Sequence, residues 1–491
     1  MTPAGPTRGV GPGGRTASAR SASKGRHCHA VGPPLPPVVE QPPAVEKAPG
    51  VGNSVWTTAV LVTADAVGAG ILGMPVVVAK FGWLLGLLVI SAMLAMNLHL
   101  AMVLWRVRMR FPSARTLGEL VVAAFERAPG WQLWLASSFS VEPQMLSIFA
   151  YLGLYLLVAA KGLGMLFYDY RLCLPQCALV AGALILPIAC SSRSMGGFRL
   201  LMWLNVLATC GAVGIPLVYL LAEGVEESRP EGNNIEAVAT LTAEGVLSGL
   251  STLNFATASQ LIIVEIIDEM ADPAEMPKAF LWISAPFQWA AFLATGVGGY
   301  IAVGSGAAGM IIRALPFGVP LRHAAACVAM HMLATYILKG VVLCRAAQEA
   351  LFPSHGCRAC LSWAAVCFGV MVVAYFVANA VPFFTEAVEF IGCTFTPLVC
   401  WVLPIASFLR LYRDAEDKPQ VAKAELAVMF VELAIAVVVM IFGLVTALDG
   451  IFRLWSELGY PFDCHCEGIW DDCECSAQRH RLANDCSTAV P

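Results

Sequence analysis

The sequence predicts an all-α integral membrane protein of about eleven transmembrane helices, built as two five-helix repeats. Three observations carry this expectation. First, the 491 residues are 58% hydrophobic and 13% charged, with a mean hydropathy of +0.72, whereas soluble domains run near about 45–50% apolar and 25% charged. Second, the apolar residues fall in runs of roughly twenty separated by short polar breaks, the length that crosses a hydrocarbon core. Third, the first and sixth runs are interrupted by glycine, proline and small polar residues, as expected if each repeat begins with a broken helix.

In chain order the spans are expected near 55–79, 83–105, 135–160, 174–190, 198–222, 246–266, 280–303, 323–345, 361–381, 386–410 and 424–447. The weakest are 174–190, which is short and holds Pro175 and Pro187, and 386–410, which holds Pro397 and Pro404. The net charge of −4 excludes little, because in a membrane the placement of Lys and Arg matters more than their sum. With the N-terminus inside, 21 of the 30 Lys and Arg fall on that side and 9 on the other. That bias predicts a cytosolic N-terminus, and an odd number of spans puts the C-terminus outside or in a lumen.

The transporter domain is accordingly expected over 54–450, between two tails. Residues 1–53 are rich in Pro, Gly, Ser and Arg and too poor in large apolar residues to bury a core. They read as a disordered cytosolic tail; the lack of acidic residues before Glu40 would also suit a transit peptide. Residues 451–491 hold five of the seventeen cysteines: Cys464, Cys466, Cys473, Cys475 and Cys486. Their spacing is not that of a zinc knuckle, so disulfides in an oxidising compartment are the better expectation, with one thiol left over.

The first broken run reads Thr63-Ala-Asp-Ala-Val-Gly-Ala-Gly-Ile-Leu-Gly-Met-Pro75. Gly68, Gly70, Gly73 and Pro75 favour unwinding, and unpaired backbone at membrane depth is tolerated where it lines a site. Asp65 adds a carboxylate that is costly in lipid and by default functional. The second, Gly249 to Gln260, carries Ser251, Thr252, Thr257 and Ser259 before Glu265. Freed N–H groups suit a carboxylate and unwound carbonyls suit an ammonium, so an amino acid zwitterion matches both. The candidate substrate-binding residues are Ala66, Gly68, Ala69, Gly70, Ile71, Phe255, Ala256, Thr257 and Ser259.

These residues resemble the amino acid/auxin permease family of the amino acid–polyamine–organocation transporters. Gly68-Ala-Gly-Ile-Leu-Gly-Met-Pro75 is similar to its first-helix G-x-G-I-L-G-L-P, and Phe255 to Met270 resembles its sixth-helix F-A-Y-x-G-H-x-x-x-P-E-I-x-x-E-M. Asp272-Pro273, Pro277-Lys-Ala279, Val381-Pro-Phe-Phe384, Ile391-Gly392 and Leu403-Pro404 extend the likeness over roughly 54–450. The resemblance implies the LeuT-type inverted-repeat (5+5) fold, with substrate held between helices one and six and coupling to protons or sodium. Thr257, Ala258 and Gln260 depart from the family's Tyr, Gly and His, and Ala64 or Asp65 stands where sodium-coupled relatives place Asn.

Candidate ion-coupling residues are Asp65, Glu265, His331 and Thr335, the last from the eighth helix that the resemblance assigns to an ion site. His331, Thr335 and Lys339 recur every four residues and share a face. Lys339, toward the cytosolic end, is expected to snorkel. No phosphate loop, triad or metal-hydrolase motif is present in the sequence, so an enzyme is not expected. The expected function is secondary active amino acid transport coupled to protons or sodium. The alternatives are an amino acid sensor or an uncoupled facilitator using the same site. No cofactor beyond the transported ion, and no nucleic acid partner, is expected. The expected partners are the amino acid and the bilayer, with a monomeric transport unit in the plasma membrane or a vacuolar or lysosomal-type endomembrane.

Overall fold

The computed structural model describes residues 52–170, 172–223, 234–307, 309–352, 357–414, 422–458 and 462. Most of both tails, including the five tail cysteines, lies outside them. Among these residues the regular secondary structure is helical, apart from an isolated parallel bridge between Asn53 and Met270.

The first expected span is a broken helix. α1 (Val55–Ala66) ends at the first glycine, a short 3-10 stretch (Ala69–Gly73) follows, and α2 (Met74–Phe81) continues at 48° to α1. Next come α3 (Trp83–Arg110), the short α4 (Leu117–Phe125), α5 (Gly130–Leu166), α6 (Leu174–Ser191) and α7 (Met195–Glu223). The sixth span is broken more widely, α8 (Ala243–Thr257) and α9 (Ile263–Asp268) being separated by five non-α-helical residues. Then follow α10 (Pro273–Val303), α11 (Val319–Leu351), α12 (Cys357–Ala380), α13 (Phe384–Tyr412) and α14 (Lys423–Trp455).

Among the described residues, nine helices are long and apolar enough to cross a membrane, and ten if the bent α1–α2 pair is one span. The remaining expected segment, the sixth at 246–266, is present as α8 and α9, neither of which is long enough alone. The multi-pass, all-α expectation therefore holds, and the difference in number comes from the break itself. Two details differ from the sequence reading. The connection after α3 contains α4, whose Thr116 side chain caps Glu119 N–H. The last helix runs on to Leu458, beyond the expected start of the tail at 451, and Trp455 Nε1 donates to the Ala380 carbonyl at 3.1 Å.

The two most buried long helices are α5 and α11, which pack on each other and, respectively, on α12 and α7. Around them lie helices with lipid-length apolar faces; Leu179, Leu207, Phe376 and Phe442 are exposed there. In α10, α13 and α14, π-helical turns interrupt the regular ladder, at 278–284 and 294–298, 398–402 and 439–443. Two adjoin prolines, Pro286 and Pro397, an expected cause of such bulges.

Candidate functional site

Both breaks lie in the protein interior and meet there. Gly68 to Gly73 and Phe255 to Glu265 are all buried. A Cβ at Gly70 would lie 2.4 Å from Ala256 Cβ and 2.6 Å from its Cα, so only glycine allows this approach. Gly70, one of the candidate substrate-binding residues, is packed on the second break. α13 approaches the same helix from the other side, where a Cβ at Gly392 would strike the Ser251 carbonyl.

Aromatic side chains of α5 line the junction, and the sequence reading missed them. Tyr151 stacks on Phe255, with centroids 4.6 Å apart and planes at 13°. Its hydroxyl donates to the Phe255 carbonyl at 3.2 Å and lies 3.3 Å from Thr396 Oγ1 of α13. A Cβ on Gly68 would sit 3.2 Å from the Tyr155 hydroxyl. The available signal was the i,i+4 pair of tyrosines in the third span. Ser259 accepts from Asn97 Nδ2 of α3 at 3.4 Å, and Gln260 Nε2 donates to the Asn97 carbonyl at 2.8 Å. Thr257 bonds its own helix, through the Leu253 carbonyl at 2.9 Å. Ala66, Ala69 and Ile71 are buried around the first break.

The chief correction concerns Lys339. It does not snorkel: its side chain is fully buried and forms an ion pair with Asp65, also fully buried. Its Nζ stands 5.1 Å above the Tyr151 ring. α11 is buried on nearly all sides, so the solvent assumed at its end is absent. The ammonium sits where α1 terminates and its carbonyls run out of partners, an end that favours a cation. Asp65 Oδ2 has no further partner among the described residues.

The other candidates are nearby but separately anchored. His331 Nδ1 lies 2.9 Å from Thr209 Oγ1 and 2.6 Å from Asn205 Oδ1, and the ring lies against the Val67–Gly68 backbone. Thr335 donates to the His331 carbonyl at 2.8 Å and accepts from Asn205 at 3.4 Å. Glu265 is buried beyond the second break. One oxygen accepts from Gln144 Nε2 at 3.1 Å and from Leu117 N–H at 3.4 Å; the other has no partner among the described residues. Arg345, the cation whose charge reaches it, is bonded instead to Glu269.

Polar contacts tie both ends of the bundle. On the side bearing Asn53, the Glu269 carboxylate takes Arg345, Ser194 Oγ at 3.2 Å, and the N–H groups of Met195 and Gly196 at 3.1 and 2.9 Å. The Asn53 backbone pairs with Glu269 and Ala271. Burial alone would raise the Glu269 carboxyl, but Arg345 and these N–H donors outweigh it and hold it below the usual carboxylate range. On the opposite side, Lys80 pairs with Glu389 at 3.0 Å, and Ser248 bonds both.

Two buried broken helices meeting inside a bundle of membrane-length helices define a multi-pass membrane protein with an interior junction. The solved structure of MhsT in complex with L-phenylalanine shares this fold, with a TM-score of 0.53 and 14% identity over 81% of this chain and 99% of its own. The chain belongs to the transmembrane amino acid transporter protein family, whose model matches residues 52–448. A curated relative, the N amino acid transport system protein of Neurospora crassa, is 21% identical over 381 residues, covering 72% of this chain and 76% of its own. Family membership makes the chain an amino acid transporter and not an enzyme.

Proposed function

We propose that the protein is a secondary active, proton-coupled amino acid carrier whose substrate is held where the two breaks meet. The observation supporting this most is the junction itself: both interruptions are buried and in contact through Gly70 and Ala256. The substrate carboxylate would face the N–H groups opening the Ala69–Gly73 turn, which have no helical carbonyl behind them. Its ammonium would face the carbonyls ending α1 and α8, with the side chain toward Tyr151, Phe255, Thr257 and Ser259.

Protons are favoured over sodium by charge. Lys339 already occupies the counter-ion place at Asp65, and a second cation there would meet a like charge in low dielectric. Glu265, buried and bonded to no cation among the described residues, has room for a proton beside the second break. The basic-residue bias places Asn53 and the Glu269 cluster in the cytosol. Cys173, at the start of α6 on the other side, is disulfide-bonded, which suits an oxidising exterior or lumen.

The test is uptake of a panel of radiolabelled amino acids into proteoliposomes, with pH and sodium gradients imposed separately. Accumulation under the pH gradient alone is expected. Accumulation under sodium alone would overturn the coupling, and equilibration without accumulation would favour a facilitator.

A further inference from the structure

A second set of titratable side chains lies away from the two breaks, where α3 meets α14. His99 projects from α3 between two carboxylates of α14. Its Nδ1 is 2.9 Å from Glu432 Oε1, and its Nε2 is 3.5 Å from Glu425 Oε1. Glu425 is also bonded to Arg106, one turn or two further along α3, and Arg106 stands 4.9 Å over the Phe408 ring of α13. The groups differ sharply in setting: the Glu432 side chain is 1% exposed, whereas His99 is 23% and Glu425 22% exposed. Glu432 lies two helical turns deeper than Glu425, and its Oε2 has no partner among the described residues.

Charge counting decides what such a cluster does. Glu425 has its own cation in Arg106. Among the described residues Glu432 has only the imidazole, and the charged groups acting on that imidazole are Glu432 and Glu425, both from α14. A carboxylate in hydrocarbon is costly unless paired or protonated, and one proton shared between His99 and Glu432 meets that need in either arrangement. Remove the proton and Glu432 is left as a buried, uncompensated anion.

We propose that His99 and Glu432 form a proton-binding site, separate from the substrate junction, that fastens α14 to α3 while the proton is bound. The proton reaches it through the partly exposed Glu425 end of the cluster. Loss of the proton loosens α14. The site stands independently of the transport reading, since it concerns only the attachment of one helix.

The experiment is amide hydrogen exchange of residues 426–438 in the full-length protein in lipid nanodiscs, expressed as protection relative to the unstructured rate. It is run over about pH 5–8, the range in which histidine charge changes. For the unmodified protein, protection is expected to fall about tenfold per pH unit over the range in which the fastened state holds the proton and the loosened state does not, because opening there releases one proton. Glu432→Gln removes the anion and should keep protection high and flat. His99→Gln removes the cation and should keep it low throughout. Loss of an ordinary packing contact would lower protection in both variants. A flat profile in the unmodified protein, or the same pH response in Glu432→Gln, would overturn the proposal. Should His99→Gln fail to insert, the Glu432→Gln profile decides alone.

Discussion

At the scale of single residues, the Asp65–Lys339 pair governs the core. Breaking a buried pair by removing one partner costs about 3–5 kcal/mol, whereas replacing both partners is often close to neutral. Asp65→Asn should therefore abolish uptake and lower thermal stability, because it strands a buried ammonium. The double variant Asp65→Asn, Lys339→Gln should recover most of the stability in a detergent melt. Recovery of uptake as well would make the pair structural; recovery of stability alone would make it part of the transport cycle. Asp65 was legible in the sequence, because a carboxylate beside three glycines stands out in an apolar run. Its partner was not: Lys339 lies 274 positions away, and a lysine near a helix end reads as snorkelling unless that helix is known to be enclosed. Gly70 was legible as a special position, but the reason differs. Since a Cβ there meets Ala256 at 2.4 Å, even Gly70→Ala should stop uptake while the protein still reaches the membrane. Normal uptake by Gly70→Ala would show that the breaks never close this tightly during the cycle.

At the scale of elements, the two broken helices place a carboxylate at each end of the junction, with different company. Asp65 lies in the last turn of α1 and has a lysine; Glu265 lies in the first turn of α9 and, among the described residues, has amide donors only. Glu265→Gln is thus expected to lose accumulation driven by a pH gradient while retaining exchange of labelled for unlabelled substrate at equal pH. Retained accumulation would move the coupling group elsewhere, with Asp65 next. The breaks themselves were readable from Gly68, Gly70, Gly73 and Pro75, and from the small hydroxylated residues before Gln260. Gln144 and Tyr151 were not read, because α5 is apolar and buried over most of its length and only the i,i+4 spacing of Tyr151 and Tyr155 marks the side that meets the breaks. The Glu269 cluster gives a further prediction. Its carboxyl is held below the usual range by Arg345 and two N–H groups, so its contribution is fully present above the ordinary value of about 4.5 and is lost as pH falls through the lowered one. Glu269→Ala should free the α1 start at neutral pH, seen as faster labelling of a cysteine placed at Ala66 from the Asn53 side.

At the scale of the whole molecule, the positions of the spans could be read from hydropathy because lipid imposes their length, and the two-repeat order from the spacing of the two breaks, with the inversion implied only by the family resemblance. The number of continuous helices could not, since a helix as short as α9 crosses only in company with α8. The basic-residue bias gives the remaining prediction: protease-cleavable tags on the two termini should be cut from opposite sides of sealed vesicles. Cutting from one side would remove either a span or the assumed orientation. The pairing of Lys339 with Asp65 also has an electrical consequence. A sodium ion at Asp65 would leave with the substrate, whereas an ammonium on α11 stays behind, so the empty core is neutral at that point and its return performs no work against the membrane potential there. A zwitterion accompanied by one proton would then carry a single net charge per cycle. A potential of about 100 mV is worth roughly 2.3 kcal/mol per charge, or roughly fiftyfold in substrate concentration, before any difference in pH is counted. Substrate-induced current in planar bilayers at symmetric pH should therefore be inward positive, and it should persist when sodium is replaced by choline.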